Sequence, residues 1–447
     1  MAQTHICDCA TLGGGASPET AIITDGEQRF IDLQSDAGAQ VYAVVVYSRT
    51  QAAYYGKAFV SLAAVNDVFV SSSAAANELA SSGGNSREQS TGVMFTSSLC
   101  LVSGRPVTLY GENFISGARE WLSGANMAIS STPATGKPSV LRSALPDVTF
   151  KPEEIGGTTI EVNARADDTA NVFRKSAAVR VATPVSAETI KVCALMDSHG
   201  SICVPWLYRA VNSTGSVYQG VGMYSIEGIP FEGRAGWATF SYMGKRSEDT
   251  FTNPFLKAAD ATDKANYPQW CYDTAYSGQS YADNPNLPSY HIFDVAAWAT
   301  ARGLTAADKL VVVLQLGVND RWRGYAAADV AAAQDFMITK FKAVLPQCRF
   351  VVSSHSIGWT SERDWSTYTP YIMQKIIKFD GREAQNILQA PAWAFMSAKY
   401  GWRETAVGTL PGGVVQVALN DDIHPTDLGA AQWADALVGG VIAAWHL

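Results

Sequence analysis

Three short segments place chemically capable side chains directly after apolar runs. In residues 192–201, VCALMDSHGS, the run passes straight into Asp197 and Ser198, and a helical pattern begins at about Ile202. A serine between the carboxyl end of a strand and the start of a helix sits where open α/β sheets bind ligands, and the free N–H groups there favour negative charge. Such a serine is a nucleophile if a base reaches it and a simple helix cap if none does. In residues 310–320, LVVVLQLGVND, the run reaches Gly317 and delivers Asn319 and Asp320 to the same edge, as an amide donor or as a plain Gly-x-Asn turn. In residues 420–429, NDDIHPTDLG, a spacing of three lets the Asp421 carboxylate accept a hydrogen bond from His424 and fix its tautomer, the work of a triad acid. The plain alternative is an aspartate cap beside a surface histidine. Spacing alone prefers Asp421 over Asp422.

The elements that must position these residues change character near residue 185. Before it, short β-type runs at 41–47, 59–63, 68–70, 93–95, 107–110, 158–162 and 178–181 are separated by Gly, Ser, Thr, Asn and Pro clusters. Such punctuation predicts a β-rich, sandwich-like region over 1–185, with a Ser, Ala and Gly-rich loop or seam between two small modules at 71–92. After it, strand-like runs alternate with helical patterns, which predicts βα units on a parallel sheet. The central strands are expected at 190–196, 310–316 and 350–354, as near-continuous apolar runs covered on both faces. Helices are expected at 291–301, 329–344, 371–379 and 427–445, the last closing the core. The polar stretch 246–287 lacks periodicity and reads as a long loop.

Composition narrows the function. The chain has 447 residues, 47% hydrophobic and 17% charged, enough for roughly two or three domains. A net charge of -8 gives no electrostatic footprint for a nucleic-acid backbone. No apolar run reaches the ~20 residues of a spanning helix, and no basic start followed by an apolar stretch marks a secretory signal. Seven scattered cysteines, with only Cys7 and Cys9 close together, suggest neither a disulfide framework nor a zinc site. No metal and no organic cofactor are expected.

Together the three segments resemble the signature blocks of the SGNH hydrolases, the GDSL esterase/lipase superfamily. Asp197-Ser198 matches the first block, Gly317-Val318-Asn319-Asp320 the third, and Asp421-Asp422-Ile423-His424-Pro425 the last. Residues 232–239, EGRAGWAT, are similar to the Gly-Arg-x-Gly-Trp-Thr pattern of carbohydrate-directed members, and Asn253-Pro254-Phe255 resembles a following segment. Met196 stands where the family has the first Gly of Gly-Asp-Ser. The resemblance covers residues 186–447. It implies a flavodoxin-like three-layer α/β/α catalytic domain with a Ser198, Asp421 and His424 triad. It also implies an oxyanion hole of the Ser198 and Gly236 N–H groups and the Asn319 amide. His199, next to the serine, points away from it on an extended backbone, which leaves His424 as the base.

The implied activity is removal of a small acyl group, acetyl first, from a carbohydrate. Trp237, Trp322 and Trp359 each follow a block or a strand end and are candidates for stacking on a sugar, with Arg234 and Arg323 as polar contacts. The rivals are a lipase or thioesterase of the same fold and a glycan-binding structural protein of a phage particle or cell surface. In that last reading the first 185 residues attach to an oligomeric or virion partner.

Overall fold

The computed structural model describes residues 94–114, 126–131, 139–142, 147–155, 159–165, 172–244, 252–266, 291–358, 362–398, 400–409 and 415–447, with five strands between residues 3 and 59. The stretch 71–92, Trp359, and 246–287 apart from 252–266 lie outside the described residues. Contacts divide the chain between residues 93 and 94. In the first unit, Gln3–Ile6 pairs with Thr20–Ile23, and Arg29–Gln34, Gln40–Ser48 and Ala53–Phe59 form an antiparallel meander.

The second unit is built on a seven-stranded, mainly parallel sheet. Its strands are β1 (Thr189–Met196), β2 (Val217–Gly220), β3 (Tyr224–Ile226), β4 (Ile229–Gly233), β5 (Leu310–Gln315), β6 (Cys348–Ser353) and β7 (Ile387–Ala390). The order is β3-β4-β1-β5-β6-β7, with β2 also pairing β1, and only β3 runs antiparallel to its neighbour. Every residue of β5, β6 and β7 is buried, as expected of parallel strands covered on both faces. Helices pack on the sheet in two pairs. Helix α1 (Gly200–Asn212) lies against α4 (Asp427–His446), and α2 (Ala327–Val344) against α3 (Glu362–Phe379).

Two helical expectations are corrected. Residues 291–301 split into a strand, His291–Phe293, and a helix, Ala296–Ala301, because Asp294 caps the break by accepting the Ala296 N–H at 2.8 Å. Helix α3 runs through Pro370 instead of starting after it. The buried side chains of Trp365, Tyr368 and Ile372 on both sides of the proline tie the two halves to one core, which outweighs the lost hydrogen bond.

The second unit begins well before residue 185. Ser98–Val102 pairs in parallel with Val172–Ala182 in a five-stranded sheet completed by Thr159–Arg165, Asn126–Ser131 and Ser139–Arg142. Strand Ser98–Val102 packs on α4. A Cβ added to Gly439 would stand 2.3 Å from the Cys100 carbonyl oxygen, so only glycine lets helix and strand come this close. Buried hydrogen bonds fasten the layer: Trp393 Nε1 donates to the Met94 carbonyl, Asn113 Nδ2 to the Met396 carbonyl, and the Ala398 N–H to Glu112. The change of pattern near 185 therefore marks a change of secondary structure, while the packing divides the chain at 93.

Candidate active site

Strand β1 ends at Met196, whose side chain is fully buried and whose carbonyl accepts from the Arg234 N–H and the Tyr242 hydroxyl. The chain then turns sharply, the Gly200 N–H donating to the Asp197 carbonyl, and enters α1. Ser198 stands on this turn, its Oγ 2.8 Å from His424 Nε2 across 226 positions of sequence.

His424 arrives on β9 (Val415–Pro425), which pairs antiparallel with β8 (Trp402–Thr409). Side chains three apart on a flat strand point to opposite faces. Here Trp402 pairs with Pro425 and the next residue, Arg403, with Asp421, so residues 422–424 bulge out of the ladder. Asp421 Oδ1 stabilises the bulge by accepting the Ile423 and His424 N–H groups, and Oδ2 lies 3.0 Å from His424 Nδ1. Burial pushes the Asp421 carboxyl up, but these hydrogen bonds outweigh it and hold the group below its ordinary value. The spacing of three between Asp421 and His424 is thus bridged by a bulged strand. Of Asp422, only the backbone is described.

Asn319 lies on the short helix Val318–Trp322 after β5, and its Nδ2 donates to the Trp237 carbonyl at 3.0 Å. Gly236, exposed on the turn after β4, holds a φ of +74°, in the left-handed region that favours glycine. Among the described residues neither the Ser198 nor the Gly236 N–H donates a hydrogen bond. Asp320 ties the two turns together by accepting from the Thr239 N–H and hydroxyl. Burial pushes its carboxyl up to about 6, against those bonds and the nearby Lys375.

Two expected substrate contacts are corrected. Arg234 is 1% exposed, with Nη2 2.8 Å from Glu232 Oε2 and its guanidinium over the rings of Tyr224, Trp237 and Tyr242. Trp237 is 2% exposed and packs edge-on against Tyr242. Both hold the Gly236 turn from behind and offer no face to a ligand. Glu232, which the sequence reading left without a role, anchors this cluster by also accepting from Met223 N and Trp298 Nε1. Trp322 is 52% exposed, and Arg323 donates to the Gly236 carbonyl. Asn253 donates to the Ser241 and Tyr242 carbonyls, a structural clasp.

Sequence reasoning set His199 aside as the base, and the structure turns it inward. It is fully buried, with Nδ1 2.5 Å from Asp197 Oδ1 and Nε2 2.7 Å from the Ile423 carbonyl. Its ring lies between those of His424, 5.4 Å away, and His355, 3.9 Å away. The described residues contain no group of three or more His, Cys, Asp or Glu placed to hold a metal ion, and no helix among them is long and apolar enough to cross a membrane.

No family model matches the chain, and no curated protein matches it. Among solved structures it is similar to a carbohydrate esterase family 3 protein from Talaromyces cellulolyticus, at 16% identity and a TM-score of 0.33, over 57% of this chain and 98% of that one. It is also similar to a family two carbohydrate esterase from Clostridium thermocellum in complex with cellohexaose, at 12% identity and a TM-score of 0.31, over 76% and 93%. A third, described as a GDSL-like lipase from Parabacteroides merdae, shows 10% identity and a TM-score of 0.32 over 57% and 98%.

Proposed function

We propose that the protein is a serine ester hydrolase acting on acylated carbohydrate, with acetyl as the preferred acyl group. The observation that carries this reading is the hydrogen-bonded chain from Ser198 Oγ through His424 to Asp421. Ser198 Oγ attacks the ester carbonyl carbon while His424 Nε2 takes its proton, and Asp421 holds Nδ1–H and balances the imidazolium. The negative charge that develops on the carbonyl oxygen is met by donors already oriented: the Ser198 and Gly236 N–H groups and the Asn319 amide. The C–O bond to the sugar then breaks, His424 returns the proton to the leaving hydroxyl, and an acyl-serine remains. Water, deprotonated by His424, attacks that ester, and Ser198 leaves with the proton.

Carbohydrate as the substrate class is supported by the resemblance of residues 232–239 to the carbohydrate-directed pattern and by Trp322, an exposed aromatic face three residues beyond Asn319. The test is labelling with a serine-reactive fluorophosphonate and mapping of the modified peptide, followed by rates on p-nitrophenyl esters of increasing chain length and acetate release from acetylated polysaccharide. Label on Ser198, acetate release and a rate that falls beyond butyryl are expected. Label elsewhere, or a preference for long acyl chains, overturns the reading.

A further inference from the structure

The geometry points to His199 as a positioning residue for this reaction: an imidazolium clamped between the Asp197 carboxylate and the Ile423 carbonyl, tying the nucleophile turn to the bulge that carries His424. The inference rests on the ester-hydrolase reading above and adds a residue to it. A carbonyl oxygen only accepts, so the Ile423 carbonyl requires a proton on Nε2. Asp197 Oδ1 already accepts the His199 N–H and faces Nδ1 as well, which places the second ring proton there. With a proton on each nitrogen, the buried ring is a cation balanced by Asp197. One end of the clamp is the residue before Ser198, and the other is the residue before His424. The 2.8 Å reach between Oγ and Nε2 is thus fixed by a second link running beneath it.

The surroundings fit this assignment. His355, on the loop after β6, has no hydrogen-bond partner for either ring nitrogen among the described residues, and burial holds it well below its ordinary value, so it lies tilted against His199 as a neutral ring. From α3, Lys375 donates to the Leu316 and Ser353 carbonyls, and burial lowers it to about 7. Tyr368 of the same helix faces His355. Asp320 stands beyond on the Val318–Trp322 helix, and His424 and Asp421 face the ring from β9. Burial opposes charge on His199, but Asp197, the Ile423 carbonyl and Asp421 raise it above the ordinary histidine value. The clamp is therefore complete below that ordinary value and is released as pH rises through the folded-state one.

The experiment compares the parent with His199→Gln, His199→Ala and Asp197→Asn. It reads kcat and KM on p-nitrophenyl acetate from acid to alkaline pH, the rate of fluorophosphonate labelling, and the 15N and 1H signals of the imidazoles in 15N-histidine-labelled protein. Both His199 ring nitrogens are expected to carry protons at neutral pH. All three variants should lose about ten-fold or more in kcat with KM little changed, as expected of a displaced reacting group. Glutamine, whose amide can still donate to the Ile423 carbonyl, should retain more than alanine. The alkaline fall in kcat should move to lower pH in Asp197→Asn and vanish in His199→Gln. A bare ring nitrogen at neutral pH, or a His199→Gln enzyme with the parent's kcat and pH profile, overturns the inference while a labelled Ser198 leaves the hydrolase reading intact. A parent that is neither labelled nor active sinks the hydrolase reading itself. If the His199 variants fail to fold, Asp197→Asn and the parent's ring signals decide the matter.

Discussion

The rim of the sheet and the seam beneath α4 use opposite strategies. At the rim, the Ser198 and Gly236 N–H groups donate no hydrogen bond among the described residues, while Arg234 and Asp320 beside them are engaged with Glu232 and Thr239. At the seam, where Ser98–Val102 meets α4, the backbones approach so closely that one methyl group would collide, and Trp393 and Asn113 each spend a buried donor on the facing carbonyl. A site that must bind something keeps polar capacity in reserve. A joint that must only hold turns its donors onto its own carbonyls.

Variants that separate these regions make the contrast testable. The largest effect belongs to Ser198→Ala, expected to lower kcat by roughly ten-thousand-fold or more while the unfolding curve stays with the parent. Asp421→Ala should follow, at about a thousand- to ten-thousand-fold, and should be slower than Asp422→Ala; the reverse order would move the acid role to Asp422. Asn319→Ala should lose about a hundred- to a thousand-fold in kcat, and a parent-like rate would remove the amide from the oxyanion hole. Gly439→Ala should do the opposite of these three. Its new methyl meets the Cys100 carbonyl, so urea unfolding should show a loss of about 1–3 kcal/mol with kcat per folded molecule unchanged. Smallest is Arg105→Ala, at the edge of the seam, where a partly exposed pair with Asp435 is worth less than about 1 kcal/mol.

How much could be read from the chain follows the same division. Each block at the rim joins an apolar strand end to its polar residues within about ten positions, so β1, β5, Ser198, Asn319 and the Asp421–His424 spacing are visible as continuous text. The seam is written in single residues, Met94 with Trp393 across 299 positions and Arg105 with Asp435 across 330, and no window contains both members. Strand β7 escapes the pattern because ILQA is four residues long and interrupted by Gln389. Arg234 and Trp237 read as ligand contacts in the sequence because it shows residue type without facing, and the structure buries both. The pairing of Glu232 with Arg234, two apart at the end of a strand, was the available sign that the arginine was already engaged.

Strand Ser98–Val102 and the helix that covers it lie at distant places in the chain, and this governs the order in which the protein can be completed. During synthesis the early strand must wait, with its apolar side uncovered, until residues 427–446 have emerged. A fragment starting at residue 186 would keep Ser198, Asp421 and His424 yet strip one flank from its last helix, leaving a sticky surface where the intact molecule has a joint.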